Sequence, residues 1–379
     1  MDAIVVGGGI GGMAAAIALR QAGIDAVVYE RAAELREVGA GLSLWPNAIR
    51  ALDHLGAGAA VRAISAPQLG GGIQTSAGRV LTHADDEVLA RRLGGPTVIL
   101  HRAELLAVLA DRLGHGLIHT GAELTNLAQD ERGVTAGFAD GRSARADLLI
   151  GADGLRSAVR RLLFDDRPPR YSGYTSWRGV VALPHTPDLL ARAGELWGCG
   201  ARFGLVPMSG GRIYWFAVAN TPAGQTDGPR GRKQDVLDLV RGWAEPVEAV
   251  VAATDEAAIL RSDIYDRPPL RHWVAGRVAL LGDAAHPMTP NLGQGACQAL
   301  EDAVELGRCL HTSGDVAVGL LAYQTRRRDR ANAIVRQSRS VGQMAQLAHP
   351  LACRLRDALL GSLPPEAQLR QLDWIVGQR

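Results

Sequence analysis

This chain has few cysteines and few aromatic residues, and neither charge is in marked excess. Four of its 379 residues are cysteines, aromatic residues make up 4%, and 41 basic side chains stand against 39 acidic ones, for a formal net charge of +2. A nearly neutral chain offers no electrostatic reason to expect nucleic acid or a membrane as a partner. The densest charge run, Arg326, Arg327 and Arg328, falls in a helical pattern. We expect it to be a solvated helix face.

The cysteines are too dispersed for a disulfide framework or a metal site. They form no C-x-x-C pair and have no histidine at the usual metal-ligand spacing; they are Cys199, Cys297, Cys309 and Cys353. Such an arrangement is typical of incidental thiols in a reducing compartment. We therefore expect no bound metal.

Long apolar runs are missing as well. No stretch approaches the ~20 consecutive apolar residues that a membrane-spanning helix needs. The first four residues lead directly into a strand pattern with no basic leader region. The length suffices for two merged domains. We expect a cytoplasmic protein that is a monomer or a homodimer.

A glycine-rich turn follows the first apolar run. Residues 3–6 are apolar, Gly7, Gly9 and Gly12 form G-x-G-x-x-G, and residues 13–21 have a helical pattern. In a dinucleotide site, the first glycine permits the tight turn, the second lets a pyrophosphate approach the backbone, and the third lets the helix pack closely on the strand. The helix N-terminus then presents free N–H groups to the phosphates.

An acidic residue follows the second apolar run. Residues 26–29 are followed directly by Glu30. This is the position at which an acid accepts hydrogen bonds from a nucleotide ribose. The acid argues against a 2′-phosphate, and so against NADP at this site. It does not separate NAD from FAD.

A second strand-to-helix segment begins with the apolar residues 146–150. It continues as G-A-D-G-x-x-S-x-x-R, with Asp153 in the turn and Ser157 at the start of a helical pattern. The motif is compatible with a nucleotide site. It is equally compatible with a plain turn in which Asp153 and Ser157 cap the helix.

A third segment contains an aspartate and a second glycine-rich helix start. Residues 277–281 form an apolar strand pattern that delivers Asp283 to its carboxyl end, where ligands bind in open α/β sheets. Gly293 and Gly295 then open a helix, and such a helix N-terminus suits the electron-rich end of a reduced flavin.

Together these motifs resemble the class A FAD-dependent aromatic monooxygenases, the family built around p-hydroxybenzoate hydroxylase. The shared motifs are G-x-G-x-x-G, G-A-D-G-x-x-S-x-x-R and G-D-A-A-H-P-x-x-P-x-x-G-Q-G-A, and the resemblance runs from residue 1 to about 330. The stretches 38–47 and 101–105 look most like the subgroup of urate, 3-hydroxybenzoate and salicylate hydroxylases. No second G-x-G-x-x-G and no W-x-W-x-I segment is present, which argues against two-dinucleotide-domain reductases and flavin halogenases.

The resemblance implies an activity and its cofactors. FAD would be bound, NADH or NADPH would reduce it transiently, and O₂ would yield a flavin C4a-hydroperoxide. That species would hydroxylate a small aromatic or N-heteroaromatic substrate. An FAD-dependent epoxidase or a natural-product tailoring oxygenase on the same scaffold is the alternative.

The resemblance also implies the architecture. It is an α/β fold in which a Rossmann-like FAD-binding domain of the glutathione reductase type carries an inserted β-sheet substrate domain and ends in C-terminal helices. The FAD-binding domain would comprise 1–170 and 274–340, the substrate domain 171–273, and the C-terminal helices 341–379.

Particular cofactor contacts follow from the same resemblance. Glu30 would hold the adenosine ribose beside Arg31, Arg102 would contact the phosphate or ribitol region, Leu124 would meet the adenine through its backbone, and Asp283 would bind the ribitol. The full set of expected FAD contacts is Gly7, Gly9, Gly11, Gly12, Glu30, Arg31, Ser43, Arg102, Leu124, Asp153, Asp283, Pro290, Gly293, Gly295, Ala296 and Cys297.

Three side chains are expected to act on the substrate. Arg202 and Tyr214 resemble the substrate-contacting arginine and tyrosine of urate hydroxylases, and Gln294 is a candidate for orienting a ring hydroxyl. A two-residue turn at Gly210 and Gly211 would place Arg202 and Tyr214 on opposite sheet faces. A bulge near Pro207 would bring them to one face.

One position departs from the urate hydroxylase pattern. Those enzymes have an aspartate just after the second proline of the third motif, where this chain has Asn291. An amide cannot serve as a general base or counter-charge. The change argues against urate itself and leaves phenolic, anilinic and N-heteroaromatic rings open. His286 belongs to the common motif, and we expect it to be structural.

Overall fold

The structure of the chain is a computed structural model. It describes residues 1–35, 40–68, 71–82, 86–165, 167–364 and 374–376. Residues 38 and 39 of the stretch 38–47, and parts of the predicted C-terminal region 341–379, lie outside these ranges.

The described residues form a mixed α/β structure. The strands are β1 Asp2–Val6, β2 Asp25–Tyr29, β3 Gly41–Leu44, β4 Ala66–Pro67, β5 Gly72–Thr75, β6 Val80–Thr82, β7 Val98–His101, β8 Ile118–His119, β9 Leu124–Asp130, β10 Gly133–Phe138, β11 Ser143–Ala146, β12 Leu148–Gly151, β13 Arg170–Ala182, β14 Gly194–Trp197, β15 Ala201–Met208, β16 Arg212–Asn220, β17 Leu260–Asp266, β18 Val274–Ala275 and β19 Val278–Leu280. The α-helices are α1 Ile10–Gln21, α2 Pro46–His54, α3 Gly58–Ile64, α4 Asp86–Leu93, α5 Arg102–Leu113, α6 Ala158–Leu163, α7 Pro187–Ala191, α8 Arg232–Leu239, α9 Val247–Ala253, α10 Gly295–Ser313, α11 Val316–Ala345 and α12 Pro350–Ser362.

The first sheet brings the three sequence motifs together. Its strand order is β18-β19-β12-β1-β2-β8. All neighbours are parallel except β18 with β19. Because parallel strands end at the same edge, the turns after β1, β12 and β19 lie side by side. These strands are nearly continuous apolar runs, as a sheet covered on both faces requires.

Helix α10 packs against both α1 and α11 beside this sheet. The α1–α10 contact is close, since a Cβ added at Gly307 would lie 2.8 Å from the carbonyl oxygen of Ala18. The core between them contains Met13, Leu300 and Tyr323, all fully buried. Burial of this kind contributes about 1.5–3 kcal/mol per large apolar side chain, and it fixes where α10 begins.

The second large sheet has the order β17-β13-β16-β15-β14-β5-β6. One of its faces carries Phe203 and Trp215, whose rings stack 5.6 Å apart, and packs against α8 and α9. The strand-like run of residues 195–208 is two strands, β14 and β15, because the chain reverses between them, with Gly200 at a φ of +69°.

Two three-stranded sheets, β11-β10-β9 and β3-β7-β4, complete the described structure. Within its described helices, none is both long and apolar enough to cross a membrane. The predicted α/β fold is confirmed.

Candidate active site

The glycine turn after β1 has room for a ligand at one position only. A Cβ at Gly12 would lie 1.8 Å from the carbonyl oxygen of Gly7, and a Cβ at Gly7 would lie 2.4 Å from that of Ala152. These two glycines are therefore required by the protein itself. A Cβ at Gly9 would meet nothing within 4 Å, so the start of α1 faces open space. A Cβ at Gly11 would instead contact Leu281 and Ala299.

Glu30 stands beside this turn at the end of β2. Its carboxylate accepts hydrogen bonds from the backbone N–H of Gly8 at 2.6 Å and of Ala32 at 2.8 Å. The neighbouring Arg31 is exposed, and Leu124 is buried at the start of β9. An acid held next to a helix N-terminus is the arrangement that binds a nucleotide ribose and its phosphates.

Asp283 follows β19 on a short 3-10 turn, Gly282–Ala284. Its side chain is open to solvent although protein surrounds it closely, as at the bottom of a cleft. Burial raises the pKa of Asp283, while His286 and Arg102 oppose the rise. A Cβ at Gly295 would lie 3.9 Å from Asp283 Oδ1, so the start of α10 borders the same cleft.

Arg102 is the first residue of α5 and leaves its guanidinium free for a ligand. Its backbone N–H donates to Ala40 at 3.0 Å. The exposed side chain has no hydrogen-bond or ion-pair partner among the described residues. The capping box that starts α5 is made by His101 and Glu104 instead.

Asp153 acts as a cap within the second motif. Its carboxylate accepts from the Ser157 hydroxyl at 2.5 Å and from the backbone N–H of Ala158 at 2.6 Å. Burial raises its pKa, and these hydrogen bonds oppose the rise. The buried Arg160 of the same motif donates to the carbonyl oxygens of Ala284 and Ala285 at 3.3 Å. The second motif therefore braces the loop that carries Asp283.

The segment that leads into α10 presents backbone rather than reactive side chains. Pro290–Leu292 form a 3-10 turn, and Gly293 adopts a left-handed φ of +61°. The buried Cys297 thiol lies 3.5 Å from the Gly293 carbonyl oxygen. Burial raises the pKa of this thiol to about 12. It is therefore no nucleophile at neutral pH, and Gly293, Gly295, Ala296 and Cys297 offer backbone N–H groups.

Arg202 and Tyr214 lie on the same face of the second sheet. Arg202 pairs with Val218, Tyr214 pairs with Val206, and the register is continuous between them without a bulge. Neither of the two arrangements considered from the sequence, a two-residue turn or a bulge near Pro207, is present. Ser209–Gly211 is a three-residue connection, and Gly210 has a φ of +71°. That extra loop residue shifts the register by one and brings both side chains to one face.

Arg202 links this sheet face to the third motif. The side chain, 2% exposed, donates to Asn291 Oδ1 and, at 3.2 Å, to Glu195 Oε2. Its guanidinium also lies 6.0 Å from the centre of the Phe216 ring. Glu195 Oε2 accepts in addition from Trp197 Nε1 at 2.8 Å. Glu195 is a candidate site residue that the sequence reasoning missed.

The Asn291 amide is oriented by its other contacts. Its Nδ2 donates to the carbonyl oxygen of Ser338 and to Thr289 Oγ1, both at 2.8 Å, and to the Tyr174 hydroxyl at 3.0 Å. The carbonyl of Ser338 can only accept, so the Asn291 oxygen must be the group that faces Arg202. A carboxylate at this position would have no N–H to offer Ser338.

The Tyr214 ring is enclosed while its hydroxyl is left free. A Cβ at Gly41 would lie 2.3 Å from the ring, so β3 packs directly on Tyr214. Ser43, two residues along β3, shares that side of the strand. Burial raises the pKa of Tyr214 to about 12. The hydroxyl has no partner among the described residues and stays a proton donor at neutral pH.

The Gln294 side chain lies in the protein interior. It is 1% exposed, and its Oε1 accepts from Asn47 Nδ2 at 3.1 Å and Gln298 Nε2 at 3.0 Å. His286 is also buried, with Nε2 2.5 Å from Asp302 Oδ2. Both belong to a polar network behind the cleft.

The cleft residues fit FAD. Open space at Gly9 suits a pyrophosphate, Glu30 suits a ribose, and the accessible Asp283 with the unpartnered Arg102 suits the polar ribitol-phosphate chain. The start of α10 supplies N–H groups for the flavin ring. In the described part of the chain, no cluster of His, Cys, Asp or Glu could hold a metal ion.

Known proteins are similar to this chain over most of its length. The Aurachin C monooxygenase/isomerase of Stigmatella aurantiaca is 43% identical, over 95% of this chain and 94% of its own length. The FAD-dependent urate hydroxylase of Klebsiella pneumoniae is 39% identical over 89% of each. The crystal structure of Klebsiella pneumoniae HpxO complexed with FAD and uric acid superposes with a TM-score of 0.93 at 35% identity, covering 100% of this chain and 97% of that one.

A family model agrees with these relatives. The model described as the FAD binding domain matches residues 1–338, which spans all three motifs and both large sheets. Bound FAD and the predicted FAD-binding fold are confirmed. The chain belongs to the FAD binding domain family and, within it, to the FAD-dependent aromatic-ring monooxygenases that use NAD(P)H and O₂.

Proposed function

We propose that the substrate is a hydroxylated, electron-rich ring, phenolic or N-heteroaromatic, that binds as a monoanion and is hydroxylated on the ring. The observation that carries the proposal is the contact of Arg202 with Asn291. It joins the sheet face that bears Tyr214 to the loop that leads from Asp283 to α10. A ring between this face and that loop would lie against the flavin.

The charges on the sheet face favour a monoanion. Arg202 and Arg178 are cationic and Glu195 is anionic, and all three lie close enough to Tyr214 to affect its pKa. Asn291 adds no charge. Arg202, Arg178 and Glu195 together therefore carry one excess positive charge. Because their setting is partly desolvated, this charge stabilises an anionic ring oxygen more strongly than it would in water.

Reduced FAD, regenerated by NAD(P)H, would supply the oxygen atom from O₂. The protein would position the ring and provide its polar contacts. Arg202 would hold a ring oxygen or carbonyl by charge-assisted hydrogen bonds, and the free Tyr214 hydroxyl would donate to the phenolate-like oxygen. The sheet would exclude water and keep the ring in reacting geometry.

For the cofactor, we propose that the predicted residues act through different groups. Gly9, Glu30, Arg31, Arg102 and Asp283 would bind FAD directly. The same role is proposed for Ser43, the Leu124 backbone, Pro290 and the N–H groups of 293–297. Gly7, Gly11, Gly12 and Asp153 would shape the cleft. We also propose that the enzyme acts in a reducing, cytoplasmic setting, since all four cysteines are free thiols.

The substrate class is tested by oxidation of NADH and NADPH with the FAD-loaded protein. The panel is salicylate, 3- and 4-hydroxybenzoate, anthranilate, hydroxynicotinates, urate and aurachin C. We expect strong stimulation by a hydroxylated ring that is monoanionic at the assay pH, with a hydroxylated product formed in step. Stimulation only by neutral rings would contradict the charge argument.

One relative favours an alternative. The 43% identity to an Aurachin C monooxygenase/isomerase would fit a tailoring oxygenase whose product is an isomer of the simple hydroxylated ring. An epoxidase would also give a product that is not a phenol. The same panel separates these outcomes when each product is identified by NMR as well as by mass.

Tyr214→Phe should lower kcat by about 10- to 100-fold, because a hydrogen bond to a charged group contributes about 1.5–3 kcal/mol and each 1.4 kcal/mol is a factor of ten. The hydroxyl has no protein partner among the described residues, so the melting temperature should stay near that of the wild type. Steady-state kinetics with the best panel substrate checks this. Tyr265→Phe, which removes a hydroxyl elsewhere in the same sheet, is the control. Equal kcat values for the two variants would remove Tyr214 from the site.

Asn291→Asp should raise KM for a monoanionic ring by about tenfold, which corresponds to about 1.4 kcal/mol. The new carboxylate would neutralise Arg202 and repel the substrate. KM is compared for the monoanion and a neutral analogue, with the exposed Asn126→Asp as the control. An unchanged or lower KM for the monoanion would mean that Asn291 does not set the charge of the pocket.

A further inference from the structure

A set of buried or nearly buried polar side chains leads from α11 to both flavin-facing segments. Of this set, only Arg327 belongs to α11, and its side chain is buried, with the residue 5% exposed. The expected solvated face is therefore wrong for this residue, although the neighbouring Arg326 is exposed. The members of the set are Arg327, Gln298, Glu301, Asp302, Asn47, Gln294 and His286.

One branch begins at the Arg327 guanidinium and ends at Gln294. Arg327 Nη2 donates to Gln298 Oε1 at 2.7 Å, which turns Gln298 Nε2 away from Arg327. That Nε2 donates to Gln294 Oε1 at 3.0 Å and to Glu301 Oε1 at 3.1 Å. Because a guanidinium only donates, this contact decides the orientation of the Gln298 amide.

Glu301 acts on Gln294 from the other side. Its Oε1 accepts from Asn47 Nδ2 at 2.5 Å, and the same Nδ2 reaches Gln294 Oε1 at 3.1 Å. Two neighbouring amides thus direct N–H groups at the Gln294 oxygen, so its orientation is set by the charges of Arg327 and Glu301. Gln294 immediately precedes Gly295, the first residue of α10.

The second branch begins at the same guanidinium and ends on the Asp283 loop. Arg327 Nε donates to Asp302 Oδ1 at 2.7 Å. Asp302 Oδ2 accepts from the Gly282 backbone N–H at 3.1 Å and from His286 Nε2 at 2.5 Å. Asp302 therefore holds residues on both sides of Asp283. Burial opposes ionisation of Asp302, but His286 and Arg327 lower its pKa overall.

We propose that Arg327 is a positioning residue for the flavin. From behind α10, its planar guanidinium holds the Asp283 loop through Asp302 and the start of α10 through Gln298 and Gln294. It thereby fixes the relative position of the Asp283 loop and the start of α10, both of which FAD must contact. Nothing places Arg327 against the cofactor or the substrate, so it acts only through these residues.

The test uses Arg327→Lys, which keeps the positive charge. An ammonium group cannot reproduce the planar guanidinium's hydrogen bonds to Asp302, Glu301 and Gln298. Gln298→Met removes the amide that accepts from Arg327 and donates to Gln294 and Glu301. It leaves the Asp302 branch in place and serves as the second variant. The matched control is Arg326→Lys, the exposed neighbour, which makes an ion pair with Glu305 of α10 at 2.7 Å.

Three quantities are measured for each variant: Kd for FAD on reconstitution of the apoprotein, the midpoint potential of the bound flavin, and its visible absorption spectrum. We expect Arg327→Lys to raise Kd at least tenfold and to shift the potential and the absorption maxima. Gln298→Met should shift the potential in the same direction by less, and Arg326→Lys should match the wild type.

Two results would overturn the proposal. One is a folded Arg327→Lys protein with wild-type Kd, potential and spectrum. The other is a loss of apoprotein stability in Arg327→Lys together with a Gln298→Met protein whose flavin is unchanged in all three measurements. That second pattern would mean that Arg327 stabilises the fold and nothing more.

Discussion

Replacing Arg202 with glutamine should lower kcat/KM for the ring substrate by about a hundredfold or more. The substitution removes the positive charge that the proposed site offers to the ring and leaves Glu195 without its partner on β15. Breaking one side of a buried, hydrogen-bonded charge pair costs about 2–5 kcal/mol, and each 1.4 kcal/mol is a factor of ten. The affinity for FAD should change far less, because Arg202 reaches the flavin-binding loop only through Asn291.

Steady-state kinetics and FAD titration of the same preparation separate these effects. Arg261→Gln is a matched control, since Arg261 lies in the same sheet, with its guanidinium 5.7 Å from the centre of the Trp177 ring, away from Asn291. If Arg202→Gln retained the kcat/KM of this control, the ring would have to bind elsewhere than on the face shared with Tyr214.

Two alanine substitutions in the first glycine motif should have opposite signatures. Gly12→Ala places a methyl group 1.8 Å from the Gly7 carbonyl oxygen. Overpacking of this kind costs about 1–3 kcal/mol or more, so the apoprotein should be destabilised and should not retain FAD. Gly9→Ala meets no protein atom within 4 Å. It should keep the apoprotein melting temperature and weaken FAD binding by about tenfold or more, because the methyl group enters the space proposed for the pyrophosphate.

The two measurements are the melting temperature of the apoprotein and Kd for FAD. Gly9→Ala with wild-type affinity would place the pyrophosphate away from the start of α1. Gly12→Ala with wild-type stability would mean that the turn can relax around the added methyl group.

The nucleotide-binding half of the fold was predictable because its signals are local. Apolar strands that end in glycine or aspartate, each followed by a helical pattern, occur at β1 and β12, and parallel pairing brings their ends together. The division of β14 from β15 is less apparent, because residues 195–208 read as one strand-like run and only the two glycines beside Cys199 mark the reversal. The domain boundaries stay a prediction.

The substrate face depends on contacts that sequence spacing does not determine. Whether Arg202 and Tyr214 share a face depends on one loop residue, and Ser209, Gly210 and Gly211 permit either turn length. Glu195 gave a weak signal, because a charged residue in a strand usually faces solvent, although Glu195 shares its face of β14 with Trp197. Only the pairing of β14 with β15 brings it to Arg202.

Arg327 was misinterpreted for a similar reason. Three consecutive arginines on a helix point in different directions, and composition alone does not show which one turns inward. A helical wheel would place Arg327 four residues after Tyr323, on the buried stripe. The carboxylates that make burial of a guanidinium tolerable come from α10, so the tertiary structure was needed to explain it.

The central claim, oxygen transfer from O₂ to a ring bound against the flavin, is tested most directly by isotope labelling. The FAD-loaded enzyme is supplied with NADH or NADPH, the most stimulating panel substrate and ¹⁸O₂, and the product is examined by mass spectrometry. We expect a ring product that carries one ¹⁸O atom, formed in step with oxidation of the nicotinamide. Hydrogen peroxide as the only oxygen product with every ring, or a product whose new oxygen comes from water, would contradict it.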